Sequence, residues 1–222
     1  MKDKNKEIKR EHLCLQGLQV RAKEDGTESR TITGYAIMFN SASAPFWEDD
    51  EEVMREIIDP SAVTRDLLDE CDIKMTMFHD NHLILARSNK GQGTLSYNVD
   101  DKGVSFEFEA PNTIDGDKAL ELVKRGDIAG CSFAFRTHYY DNAYVERTVE
   151  VKDGKSNILN RVKLITGIYD FTLAVDPAYP DTSVEAREFA ESLREKKTPA
   201  PVLSERAKAQ IAEMEKHAKS NL

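Results

Sequence analysis

No run of apolar residues in this chain reaches the roughly 20 positions that a membrane-spanning helix needs, so a helical membrane anchor is not expected. A basic excess is missing too. With 31 basic against 40 acidic side chains the formal charge is -9, the wrong sign for the phosphate contacts of broad nucleic-acid binding. A partner with basic surface is the more natural match. Cysteines are few and unpaired in spacing: Cys14, Cys71 and Cys131 suit neither a disulfide framework nor a zinc module, and they point to a reducing compartment. The opening Met1-Lys2-Asp3-Lys4-Asn5-Lys6 is not followed by the apolar segment of a secretory signal, so the expectation is a soluble, unexported protein.

What is present fits a globular domain with extra polar surface. Hydrophobic residues make up 40% and charged residues 32%, and the mean hydropathy is -0.56. A chain of 222 residues can hold one core plus a tail, because single cores stop growing only beyond about 250 residues. Residues 1–12, nearly all charged or polar, read as a flexible arm. Alternation in Leu13 to Leu15 and Leu18 to Val20, a turn at Glu24-Asp25-Gly26 and a run from Thr31 to Phe39 read as an opening hairpin.

Asp59-Pro60-Ser61 signals a helix start, with Val63, Leu67 and Leu68 as its apolar face. Ile73 to Phe78 reads as strand, ending in His79-Asp80-Asn81-His82. Thr94 to Val99 and Val104 to Ala110, either side of Asp100-Asp101-Lys102-Gly103, form a second hairpin. A helix follows from Asp115 or Gly116 to Arg125, with Gly126 as its left-handed stop. The chain returns as strand through GCSFAFRTHYY, makes a polar hairpin or excursion over residues 141–160, and closes with strands between Leu164 and Val175. Beyond Pro180 the sequence is rich in Ala, Glu, Lys and Arg, interrupted by Thr198-Pro199-Ala200-Pro201. Residues 183–222 are therefore expected to be a helical or disordered C-terminal tail, separable from a domain spanning 13–182.

The chemistry concentrates in GDIAGCSFAF. Side chains alternate along a strand, so Ser132, Ala134, Arg136 and His138 share one side, while Cys131, Phe133 and Phe135 share the aromatic, core side. An inward Cys131 has its thiolate disfavoured, which leaves Ser132 as the candidate nucleophile. Serines in strands are commonly structural, and a catalytic one needs a base and a group that orients the base. Of the histidines, His12 and His217 fall in the arm and tail, and His138 lies too far along the strand to touch Ser132. His79, at a strand end where the chain turns, is the candidate base. The neighbouring His79, Asp80 and His82 also form a candidate metal-ligand cluster of a metal-dependent hydrolase, a rival reading weakened by the lack of further ligands at a recognisable spacing. Asp170, on a strand in IYDFTLAV beside Ile168 and Thr172, is the candidate third group, with an exposed strand residue as the plain alternative. Asp176 and Asp181 flank a proline-rich turn and are weaker candidates.

Four segments, in order, resemble the prohead maturation proteases of tailed bacteriophages: GYAIMFN from Gly34; MFHDNHLILARSNKGQGTL with its His and Arg; ELVKRGDIAGCSFAF with Gly-Asp-x-x-Gly-x-Ser; and DFTLAVDPAYPDT. The resemblance covers about residues 13–182. It implies an α+β fold similar to herpesvirus assemblins, an antiparallel β-barrel with surrounding helices, and a serine endopeptidase that needs no cofactor. It implies His79 as base, Ser132 as nucleophile and Asp170 as the third member; Arg136, sharing the Ser132 face, is available to substrate or oxyanion charge. The implied substrates are the scaffold, the scaffolding region of the major capsid protein and the protease itself, as a homo-oligomer inside a procapsid in the bacterial host. A catalytically silent capsid scaffold of the same fold is the alternative. Neither nucleic acid nor membrane is an expected partner.

Overall fold

The computed structural model describes residues 7–14, 18–21 and 29–175. The chain divides into two units, Met1–Thr182 and Ser183–Leu222, and every described residue lies in the first. Strands dominate. The first half carries β1 (Ile8–Cys14), β2 (Gln19–Val20), β3 (Thr31–Met38), β4 (Trp47–Glu48), β5 (Glu52–Ile58), α1 (Arg65–Glu70), β6 (Asp72–Met77), β7 (Asp80–Asn89), β8 (Gln92–Gly93), β9 (Leu95–Val99) and β10 (Gly103–Glu109). The second half adds α2 (Ile114–Arg125), β11 (Gly130–Thr137), β12 (Val145–Lys152), β13 (Lys155–Val162) and β14 (Gly167–Ala174).

These strands form a six-stranded sheet, β1-β11-β14-β6-β7-β8, and two four-stranded sheets, β2-β3-β10-β9 and β12-β13-β5-β4. The architecture is mostly β with few helices. The antiparallel barrel expected from the family resemblance is not found among the described residues: hydrogen bonding leaves three open sheets, and β14–β6 and β13–β5 are parallel pairs. Parallel pairing joins segments far apart in sequence, which no hairpin signal can announce.

The core lies between the first two sheets. Phe106 of β10 reaches Phe171 of β14 with ring centroids 6.5 Å apart, and Phe133 stacks on Phe135 at 5.1 Å. These four rings and Phe108 are fully buried, and each such side chain stabilises the fold by about 1.5–3 kcal/mol. Because β11 and β14 are paired on both sides and covered on both faces, they read as near-continuous buried runs rather than clean alternations.

Helix α2 has the ends its sequence promises. Thr113 Oγ1 accepts from the Gly116 N–H, Asp115 and Asp117 lie in the first turn, Lys124 and Arg125 in the last, and Gly126 caps it at φ 76°. The helix start at Asp59 is correct in kind but short. Asp59 caps a single 3-10 turn over Pro60–Ala62, and a second cap, Thr64, then starts α1. The 95–109 hairpin and the 145–162 hairpin form as expected.

One expectation is corrected. Residues 8–12, assigned to a flexible arm, belong to β1, which runs antiparallel along β11 with Leu13 opposite Ser132. An edge strand needs only one hydrogen-bonded neighbour, so a polar sequence can serve. Residues 80–89 form β7 directly after His79, a strand that the sequence reading did not assign. The 183–222 tail, the 24–26 turn, Asp176 and Asp181 lie outside the described residues.

Candidate active site

Three adjacent strands carry the polar cluster. In register, Ser132 of β11 faces Thr172 of β14, and Thr172 faces Thr76 of β6; one step along, Ala134 faces Asp170, and Asp170 faces Lys74. Paired residues point to the same side of a sheet, so Ser132, Thr172, Thr76 and Asp170 share one face. All four are buried, although each is polar. Buried polar groups need partners, and these find them in one another and in His79.

His79 lies outside the strands, in the link between β6 and β7. Met77 pairs with Asp80, so Phe78 and His79 are the two central residues of a tight hairpin, with φ of 58° and 55°. Two-residue hairpin turns with both φ positive ordinarily take Asn-Gly, because a side chain is strained there. Holding Phe and His in that conformation costs about 1–3 kcal/mol each, a strain that clusters at functional sites. Strand β14 offsets it: the Phe78 N–H donates to the Leu173 carbonyl (3.1 Å), and the His79 N–H donates to Thr172 Oγ1 (2.9 Å). Thr76 Oγ1 donates to the same Thr172 oxygen at 2.9 Å.

The turn delivers the imidazole back over the sheet. Its Nδ1 lies 2.7 Å from Asp170 Oδ1 and its Nε2 lies 2.9 Å from Ser132 Oγ. An ionised carboxylate only accepts, so Nδ1 carries the ring proton; Nε2 then presents its lone pair to the serine O–H. The Asp170 side chain is 5% exposed and that of His79 is 20%, so the acid is shielded while the ring keeps a path to solvent.

The three residues singled out from sequence, His79, Ser132 and Asp170, are thus brought together in series. Asp170 is not the exposed strand residue of the plain alternative. Its strand differs from the expected alternation in one respect: a bulge puts Ile168 opposite Phe135, on the core side, and leaves Tyr169 exposed. Cys131 is buried, as expected. Arg136 and His138 are not at the site; they approach Glu7 at 3.4 and 3.8 Å. The metal-ligand cluster is not assembled. Both His79 nitrogens face protein partners, Asp80 Oδ1 accepts from the His82 N–H, and no group of three or more metal-ligating side chains occurs among the described residues. Sequence reasoning missed Thr172 and Thr76. Threonine is an ordinary strand residue, and only their shared row with Ser132 marks them.

A carboxylate, an imidazole and a serine hydroxyl in hydrogen-bonded sequence are the side-chain set of serine hydrolases. A family model described as caudovirus prohead serine protease matches residues 16–196, and the chain belongs to that family. That membership gives it a protease role in capsid maturation. Among solved structures, the bacteriophage T4 capsid assembly protease gp21 compares at 9% identity and a TM-score of 0.37, covering 74% of this chain and 99% of that one. At that score the overlap is too loose to argue from. No curated protein matches.

Proposed function

We propose that this chain is a serine endopeptidase of prohead maturation that uses Ser132 as nucleophile, His79 as general base and Asp170 as the orienting acid. The observation that carries the reading is the unbroken contact series, 2.7 Å from Asp170 to Nδ1 and 2.9 Å from Nε2 to Ser132 Oγ. His79 Nε2 takes the serine proton as Oγ attacks the peptide carbonyl carbon. Asp170 keeps the Nδ1–H tautomer and stabilises the imidazolium. The imidazolium then protonates the leaving amine, and water, activated by the same imidazole, releases the acyl group and regenerates Ser132.

The substrates we assign are the scaffold and the scaffolding region of the major capsid protein, followed by the protease itself. The place of action is the procapsid interior in the bacterial host, with the protease as a homo-oligomer. Support for this comes from the family. Residues 183–222, acidic and basic by turns with few large apolar groups, suit a docking segment outside the protease domain.

Co-expression with the capsid protein, followed by mass spectrometry of the products, tests the reading. Ser132→Ala and His79→Ala should each lower the cleavage rate by roughly a millionfold, the scale seen when one member of a serine triad is removed. Cleavage that survives in Ser132→Ala would assign the nucleophile elsewhere, and an uncleaved capsid protein with the intact enzyme would favour the silent scaffold.

A further inference from the structure

The reading above uses three side chains, yet the polar row across the sheet holds two more. Thr172 and Thr76 are both 0% exposed, on strands where valine or isoleucine would pack as well and satisfy no polar obligation. The imidazole nitrogens face Asp170 and Ser132. Thr172 Oγ1 instead accepts two hydrogen bonds, one from the backbone N–H of His79 and one from Thr76 Oγ1, each at 2.9 Å. The backbone it grips is the one with φ 55°, a conformation uncommon in residues other than glycine.

We propose that Thr172 is a positioning residue of this site: its hydroxyl, held in turn by Thr76, pins the left-handed main chain at His79 and thereby sets the imidazole between Asp170 and Ser132. The chain of cause is short. The strained turn is anchored on β14 by the Leu173 carbonyl and by the Thr172 hydroxyl, the second of which is a side chain. Thr172 also sits in register between Ser132 and Thr76, and two residues from Asp170 on the same strand. One strand therefore carries both the acid that orients the ring and the hydroxyl that holds the ring's backbone. Without that hydroxyl the His79 N–H loses this acceptor, and the turn is freer to relax toward an ordinary φ. Relaxation rotates the Cα–Cβ bond and moves the imidazole off one or both of its partners.

This inference rests on the serine-protease reading for its kinetic consequence, but its structural consequence can be measured separately. Full-length protein would be treated with diisopropyl fluorophosphate, and the rate of mass gain at Ser132 followed. In parallel, proton NMR would follow the low-field signal of the His79 Nδ1–H bonded to Asp170, assigned by its loss in His79→Gln. Thr172→Val should slow labelling by about tenfold or more, since a displacement of order 1 Å at a catalytic group has effects of that size or larger. It should also weaken or abolish the low-field signal. Thr172→Ser keeps the hydroxyl, and should restore the signal and bring labelling to within about threefold of the parent. Thr76→Val, which removes only the donor to Thr172, should act in the same direction and less, and it provides the measurement if Thr172→Val does not fold. A folded Thr172→Val protein with parental labelling and an unchanged signal would overturn the proposal. So would a Thr172→Ser protein as impaired as the valine variant. If the parent itself fails to label at Ser132, the serine-protease reading is what has failed, and the NMR comparison still decides whether Thr172 holds His79.

Discussion

The two ends of β11 each bring a histidine near an acid, and only one end makes a site. Around Ser132, His79 meets Asp170 at 2.7 Å; around Arg136, His138 meets Glu7 at 3.8 Å. The two imidazoles are almost equally exposed, 20% and 21%, so solvent access does not separate them. Their acids do, at 5% against 36% exposure. The second nitrogen differs as well: His79 Nε2 faces a serine hydroxyl, whereas His138 Nδ1 is buried with no hydrogen-bond partner among the described residues. His138 spends its ring on an edge-to-face contact with Tyr144 at 4.6 Å. A histidine beside a carboxylate is thus not enough for the proposed mechanism. That mechanism needs a shielded acid on one nitrogen and a hydroxyl on the other, and of these two histidines His79 has both.

That contrast can be broken from either end. Asp170→Asn keeps the shape of the acid but offers an amide that can favour the wrong tautomer of His79, so cleavage of the capsid protein should slow by about 10⁴-fold while the protein stays folded. A variant within tenfold of the parent would make Asp170 a bystander and put the two ends of the strand on a level. Phe171→Ala lies one residue away but on the opposite face, in the aromatic core. Its effect should fall on stability, a loss of about 3–5 kcal/mol measured by denaturant unfolding, with residual activity following the folded fraction.

Smaller effects sharpen the comparison further. His82→Ala should cost little activity, and EDTA should leave cleavage unchanged, because His79 has both nitrogens committed to protein groups. Activity lost on chelation and restored by zinc or manganese would revive the metal reading. Glu7→Gln should do least of all. Its partners stand at 3.4 and 3.8 Å and its own side chain is 36% exposed, so the change should move stability by about 0–1 kcal/mol and leave the cleavage rate alone. A large kinetic effect from Glu7→Gln would mean that the Arg136 end of β11 communicates with Ser132.

Much of this protein is written locally. Helix α2 announces itself through its apolar spacing, its acidic first turn and Gly126, and the 95–109 hairpin through alternation around Asp100 to Gly103, since caps and turns are chosen by residues a few positions apart. Strand alternation was enough to turn Cys131 inward and to leave Ser132 as the candidate, and a histidine at a strand end and an aspartate inside a strand were conspicuous as residue types. Placement was another matter. Nothing in the local pattern says that β6 runs parallel beside β14, yet that pairing is what carries His79 to a serine 53 positions and an aspartate 91 positions away. Nor does it reveal that Phe78-His79 would form a two-residue turn at positive φ, a conformation uncommon outside glycine that Thr172 and Leu173 on the neighbouring strand help to hold. Strand order and register are decided by contacts between distant segments, where one step of slip reverses every side chain; the candidate site is assembled because those long-range choices were made by the packed core and not by the residues that compose it.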